Sequence, residues 1–471
     1  MGSDWKTIKL QDFADHQKGF AFKSKDYIEQ GIAVVRVSNL TRDSIDCSDL
    51  KFVSEQVAQD KEQFRLSPND VVIATVGSWP KNPASVVGKV IRVPEACDAF
   101  LLNQNAVRFR AKSGDDYDQL YLYYLLKSKT FSDYIVSTAQ GSANQASITL
   151  KDIYAFEFNC PTENERRRIA LQLSSLDDKT ALNTQINQTL EQMAQTLFKS
   201  WFVDFDPVID NALDVGSDIP EVFETRVERR KAVRESADFK PLPDHVRQLF
   251  PSEFEESELG WVPKGWRSVD LTKMVDSISV TYPLKEVDKV IFLNTGDIDN
   301  GKFLVNEYSD SKGLPGQAKK SIQENDILFS EIRPKNKRFA FVNFDASDYV
   351  VSTKLMVLRA KNGFEPLLPY FLVTHDRTTT ELQRVAELRS GTFPQITYKE
   401  LEFISFLLPP NGGLLDFFVN KHLKPIYERS FSFSEENQTL EKLRDTLLPK
   451  LISGELRLDS PEVDQAKALV N

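Results

Sequence analysis

The stretch RPKNKR at 333–338 is the strongest basic loop in the chain, four cations and an amide in six residues. Arginine and lysine fork onto guanine in the major groove, and asparagine and glutamine onto adenine, so such a loop can read base edges. It can equally be a solvated run of charge, and some of its members would touch only phosphate. A second Pro-Lys-Asn stands at 80–82. By loop position and side-chain chemistry, the candidates in the first half are Arg36, Asn39, Ser78, Lys81, Asn82, Ser142, Asn144 and Gln145. In the second half they are Arg333, Lys335, Asn336, Lys337, Arg338, Thr392 and Gln395.

Other chemistries find little support. The sequence has no GxxxxGK[ST] run for a nucleoside triphosphate and no GxGxxG opening a helix. Its four histidines, His16, His245, His375 and His422, lack metal-ligand spacing, so no metal site is expected. Leu408-Pro409-Pro410-Asn411 lacks the aromatic with which an amino-methyltransferase would stack a flipped base. Cys47, Cys97 and Cys160 are odd in number and far apart in sequence, suggesting neither disulfides nor zinc. The chain is expected to bind rather than react. With no membrane-length apolar run and no signal peptide, it reads as cytoplasmic. The net charge of −10 is local: residues 204–258 hold 15 Asp/Glu against 7 Lys/Arg, which leaves −2 for everything else. Local patches set the field a phosphate backbone meets, so the total does not exclude DNA.

The elements that must position these residues come in two sets. NQTLE occurs at 187–191 and again at 437–441. LSPNDVVIATVGSWPKN (66–82) parallels IQENDILFSEIRPKN (322–336), and FLLNQNAVRFRAK (100–112) parallels YVVSTKLMVLRAK (349–361). Gly141, Gln145 and Ile148-Thr149 match Gly391, Gln395 and Ile396-Thr397, each set running on to a proline-ended strand. Even the entries Trp5-Lys-Thr-Ile and Trp266-Arg-Ser-Val correspond. The chain is a tandem duplication of a mixed, strand-rich domain followed by a long helix. Ile186, Leu190, Met193 and Leu197 form one helical stripe, and Leu440, Leu443, Leu447 and Leu451 another. Stripes this narrow suit a seam with one partner helix, so the two helices are expected to pair, the alternative being that each packs on its own domain. A helix of about 40 residues spans about 60 Å. Antiparallel helices would relate the halves by an approximate two-fold axis, as DNA backbones are related. The connector 203–262 permits a parallel return as well.

The paired Gly-x(3–4)-Gln-x-x-Ile-Thr segments, in shorter form at 391–397, carry a resemblance together with KSWFVDFDPV (199–208), RQLFPSEFEESELGWVPKGW (247–266) and TLEKLRDTLLPKLISGEL (439–456). The chain resembles the DNA-specificity subunit of Type I restriction–modification systems over nearly its whole length. The resemblance implies an α+β fold: target-recognition domains at 1–161 and 263–411, spacer helices at 162–202 and 412–456 pairing as an antiparallel coiled coil, the acidic connector, and a tail at 457–471. It implies that each domain reads one half of a split double-stranded DNA target while the helices set the gap. Two adenine methyltransferase subunits and ATP-dependent motor-nuclease subunits would be the partners. S-adenosylmethionine, ATP and Mg²⁺ would sit on those partners, and the connector and helices would be surfaces for them. The rival reading is a duplicated coiled-coil adaptor that organises protein partners without touching DNA, favoured if the loops at 68–90 and 330–342 prove neutral.

Overall fold

A computed structural model describes residues 5–41, 43–79, 87–142, 145–410 and 412–470. It divides into two compact units: one made of 1–184 and 435–471, the other of 185–434. Two long helices, α1 (Glu163–Phe198) and α2 (Lys424–Ser453), each belong partly to both.

Each unit repeats one α+β plan. In the first, Lys6–Lys9 pairs antiparallel with Glu157–Cys160, Ile8 opposite Phe158. In the second, Arg267–Asp270 pairs with Ser405–Leu408, Val269 opposite Phe406. A four-stranded antiparallel sheet follows in both, ordered Ala14–Lys18, Ala106–Ala111, Val71–Ala74, Val90–Arg92 and, in the second unit, Val275–Ile278, Leu355–Ala360, Ile327–Ser330, Phe339–Phe341. A parallel pair is common to both as well, Ile32–Val35 with Leu101–Leu102 and Lys289–Leu293 with Tyr349–Ser352. The strand Val71–Ala74 is apolar at every position because it lies between two clusters, Val71 and Ile73 in one, Val72 and Ala74 in the other.

The motifs shared by the halves are the fastenings of this plan. Asn69 and Asn325 take left-handed backbone (φ 68° and 69°), which asparagine tolerates better than most side chains. The aspartate after each is buried and receives a two-pronged arginine: Arg110 on Asp70 (Nη2–Oδ2 2.8 Å) and Arg359 on Asp326 (2.7 and 2.9 Å). The lysine of each Arg-Ala-Lys ties back to the domain's entry, Lys112 to Gln11 O (2.6 Å) and Lys361 to Thr272 O (2.8 Å). In each Ile-Thr the isoleucine is buried and the threonine caps the turn after it, Thr149 bonding Asp152 (2.6 Å) and Thr397 bonding Glu400 (2.7 Å).

The helices run antiparallel through a seam that is largely polar at its middle. In the first unit Asn437 Nδ2 donates to Thr180 O and Thr184 Oγ1, both at 3.3 Å. In the second unit Asn187 Nδ2 donates to Ser430 O (3.2 Å) and Ser434 Oγ (3.4 Å). Residues 430 and 434 are 180 and 184 displaced by 250, as 437 is 187, so each NQTLE asparagine makes the same clamp. One difference remains. Asn437 Oδ1 accepts from Asn183 (3.0 Å), but Phe433 stands at the repeat-equivalent of 183, and Asn187 Oδ1 is buried with no partner among the described residues.

Of the residues expected in the seam, Leu440, Leu447 and Leu451 are buried and Leu443 partly so, against Ile169, Ala170, Leu173 and Leu176 of α1. Ile186, Leu190 and Leu197 are half-buried. Met193, 56% exposed, is off it. Ala194 and Phe198 take the inward positions, so the buried residues of α1 there are 183, 194 and 198, with Asn187 half-buried between them, rather than the most apolar stripe.

Three further features are visible only in the structure. Residues 203–262 are folded, with helices at Asp206–Val215 and Glu224–Arg234 and a hairpin pairing Phe254–Ser257 with Gly260–Pro263. Four of its aspartates are paired within the segment, Asp204 and Asp206 with Arg229, Asp210 with Arg230, and Asp214 with Arg234 and Arg247. Residues 457–471 carry a helix, Pro461–Val470, whose Val463 and Ala466 enter the first unit's core. The third concerns the cysteines, since Cys47 and Cys97 lie with their sulfurs 3.5 Å apart. Among the described residues no helix is long and apolar enough to cross a membrane.

Candidate nucleic-acid interface

In the second unit the central strand Ile327–Ser330 runs out into the basic loop. Arg333 and Lys337 both take left-handed backbone (φ 46° and 53°), a conformation that costs free energy for a residue with a Cβ and persists only where its surroundings impose it. Here the surroundings are the segment 390–396. Arg333 N donates to Pro394 O (3.1 Å), Ile332 bridges Gln395, and Ile396 N donates to Glu331 O (2.9 Å). From a neighbouring helix Gln383 accepts from Lys335 N (3.3 Å). The result is a fixed turn from which Arg333, Lys335 and Asn336 project. Their side chains make no hydrogen bond or ion pair among the described residues, and their donors are free for a ligand. Thr392 and Phe393 stand exposed on the adjoining segment.

Three other nominees brace this turn. Lys337 pairs with Asp376 (2.6 Å), Arg338 holds Ile298 O (2.9 Å) and Asp299 (3.4 Å), and Gln395 is bound to Glu331 (3.2 Å) and Lys354 (3.5 Å). Arg338 and Gln395 are only half-exposed and committed to neighbours, which assigns them to shaping the loop.

The first unit joins equivalent segments through more strand. Val76–Gly77 pairs with Gln145–Ser147, which pairs in turn with Gln140–Ser142. Trp79 Nε1 donates to Ser142 O (2.8 Å). At Gly141 (φ 153°) a Cβ would fall 2.0 Å from Gln145 O, so the hairpin requires glycine, whereas its counterpart Gly391 has open space. Ser142 and Gln145 are exposed and Ser78 half-buried beside them. Lys81, Asn82 and Asn144 lie outside the described residues.

Two nominees here are overturned as free readers. Asn39 is 3% exposed, its amide donating to Asp49 O (3.0 Å) and its Oδ1 accepting from Arg36 N (3.0 Å). It caps its own turn. The Arg36 guanidinium is held by Asp49 through the carbonyl (2.9 Å) and the carboxylate (3.2 Å). Nearby, Lys89 points inward onto Leu40 O (3.1 Å), and burial, reinforced by the Lys127 charge, lowers its pKa. Aromatic residues were missed in both loops. Trp79 and Phe393 sit within the paralleled stretches, beside the polar residues that drew attention.

The described residues thus place, in each unit, the loop after the central strand against the segment before the final strand, with hydrogen-bond donors outward. Comparison with known proteins bears on what such a surface serves. The family model for the Type I restriction modification DNA specificity domain matches residues 2–192 and 263–412. The specificity subunit of the type I restriction enzyme HindI of Haemophilus influenzae is 39% identical over 186 residues, 39% of this chain and 39% of that protein. The MjaIX specificity subunit of Methanocaldococcus jannaschii is 26% identical over 342 residues, 72% of this chain and 69% of its own. The crystal structure of the S subunit of the type I restriction-modification system of M. genitalium has the same fold, with a TM-score of 0.50 at 14% identity over 95% of this chain and 96% of that one. Two family matches cover the two halves separately, as the duplicated fastenings require, and the chain belongs to the family of type I restriction-modification DNA specificity domains.

Proposed function

We propose that this chain is the sequence-reading subunit of a type I restriction–modification complex, each recognition domain reading one half of a bipartite duplex and the helix pair setting the gap. The observation that supports it most is the one loop pair built twice. Family membership places it among DNA specificity domains, and the cations Arg333 and Lys335 on a fixed turn supply the donors that guanine edges and phosphates accept. The exposed charge at 333–336 also weighs against the adaptor reading, which called for a neutral loop. Adenine methyltransferase and motor-nuclease subunits are the proposed partners. The absence of nucleotide-binding motifs from the sequence supports placing S-adenosylmethionine, ATP and Mg²⁺ on them.

The test is a mobility-shift titration of the methyltransferase assembled on this chain. One bipartite duplex should be preferred over scrambled ones, above a background that falls steeply with salt as counterions are released. Equal affinity for all duplexes at every salt concentration would refute the reading.

A further inference from the structure

We propose that Phe393 contacts a thymine methyl group in the second half of the DNA target, an inference that rests on the function proposed above. Phe393 is 52% exposed, at the tip of the segment Ser390–Pro394. Its backbone is fixed, since Phe393 N donates to Ser390 Oγ (3.2 Å) and Pro394 O accepts from Arg333 N (3.1 Å). That second bond holds residue 393 one position from the backbone partner of Arg333, whose exposed guanidinium makes no bond among the described residues. Lone exposed apolar residues are common on proteins. This one stands on a rigid turn among unpaired donors, where its immobilisation has already been met by the fold.

The pairing of side chains selects the groove. Guanine O6 and N7, which arginine takes, and the thymine C5-methyl, which an aromatic edge takes, are displayed together in the major groove of B-DNA. The minor groove offers no methyl, and apolar residues used there wedge between base steps. A ring with about half its surface already covered by its own protein is poorly placed to enter a base step. It is well placed to lie against a methyl at the groove floor while Arg333 or Asn336 reaches the neighbouring base.

The experiment uses the full chain assembled with its methyltransferase partner. Duplexes carry the target found by mapping modified adenines in the host genome, each thymine of the second half-site replaced singly by deoxyuracil. Deoxyuracil lacks only the C5-methyl. At one position the native complex should bind about fourfold more weakly, the weight of one buried methyl-sized group. Phe393→Ala should bind thymine and deoxyuracil alike there, with unchanged thermal unfolding. A flat deoxyuracil scan of the native complex, with the bipartite preference intact, overturns the proposal alone, and so does discrimination that survives in Phe393→Ala. Loss of any sequence preference in the native complex overturns the functional reading and the proposal together.

Discussion

Arg359 meets Asp326 with both forks of its guanidinium, and the carboxylate is 0% exposed, also accepting from Gln323 N (2.9 Å). Removing one side of such a pair leaves the other uncompensated. Arg359→Ala, which leaves that buried carboxylate without its counter-charge, is therefore expected to destabilise the second unit by about 3–5 kcal/mol, read from chemical denaturation. Arg333→Ala should leave stability alone and cost about 1–3 kcal/mol in binding at one base pair of the second half-site, as measured by competition with substituted duplexes. Loss spread evenly over all sequences would mark Arg333 as a phosphate contact instead. Cysteine chemistry offers a third prediction. Cys97 is buried, and burial, with the hydrogen bond to Cys47, pushes its thiol up to about 12. Iodoacetamide near neutral pH should therefore label exposed Cys47 well before Cys97, followed by mass spectrometry. This contact was hidden in the sequence, because 50 residues of strand and turn bring two unrelated positions together.

Elements were legible where a local rule and the packing agreed. Asn-Asp, Arg-Ala-Lys and Ile-Thr repeat in the two halves because each names a fastening of backbone or buried charge that the fold uses twice. Asn39 was misjudged because a turn-capping amide and a base-reading amide look the same without coordinates. Met193 was misjudged because the neighbouring Ala194 and, a turn on, Phe198 take the inward positions of α1 there. The polar seam yields an asymmetric expectation. Asn437→Leu takes from the buried Asn183 amide one of its two acceptors, the other being Glu436 (2.7 Å), and should cost about 1–3 kcal/mol in thermal unfolding. Asn187→Leu also removes a carbonyl that is already without a partner, and should cost distinctly less. The connector has its own pH dependence. Hydrogen bonding from Arg234, together with Arg247 and outweighing desolvation, lowers the Asp214 pKa. For Asp204, bonds from Lys199 and Arg229 likewise overcome a larger desolvation that acts in the opposite direction. A depressed folded pKa gives stability that is present above the ordinary carboxylate value and lost as pH falls below it. Protection factors for hydrogen exchange across 206–247 should accordingly fall below about pH 4.

At the scale of the molecule, the division between units falls at 184/185 in α1 and 434/435 in α2, positions that face each other across the antiparallel register. Seven residues inserted at both points would keep every clamp and each unit's core. The pair would lengthen by about 10 Å, about three base-pair rises. If the helices set the gap, methylome sequencing should show a changed gap with both half-sites retained, and an unchanged gap would count against the ruler. The same division bears on how the chain comes off the ribosome. The second unit is one continuous stretch and can close as soon as it is made. The first waits with its core open until Leu440, Leu447, Leu451, Val463 and Ala466 have followed the whole of the second. The domain translated first is thus completed last, and a released chain truncated after residue 434 should hold a protease-resistant second unit beside a still-cleavable first.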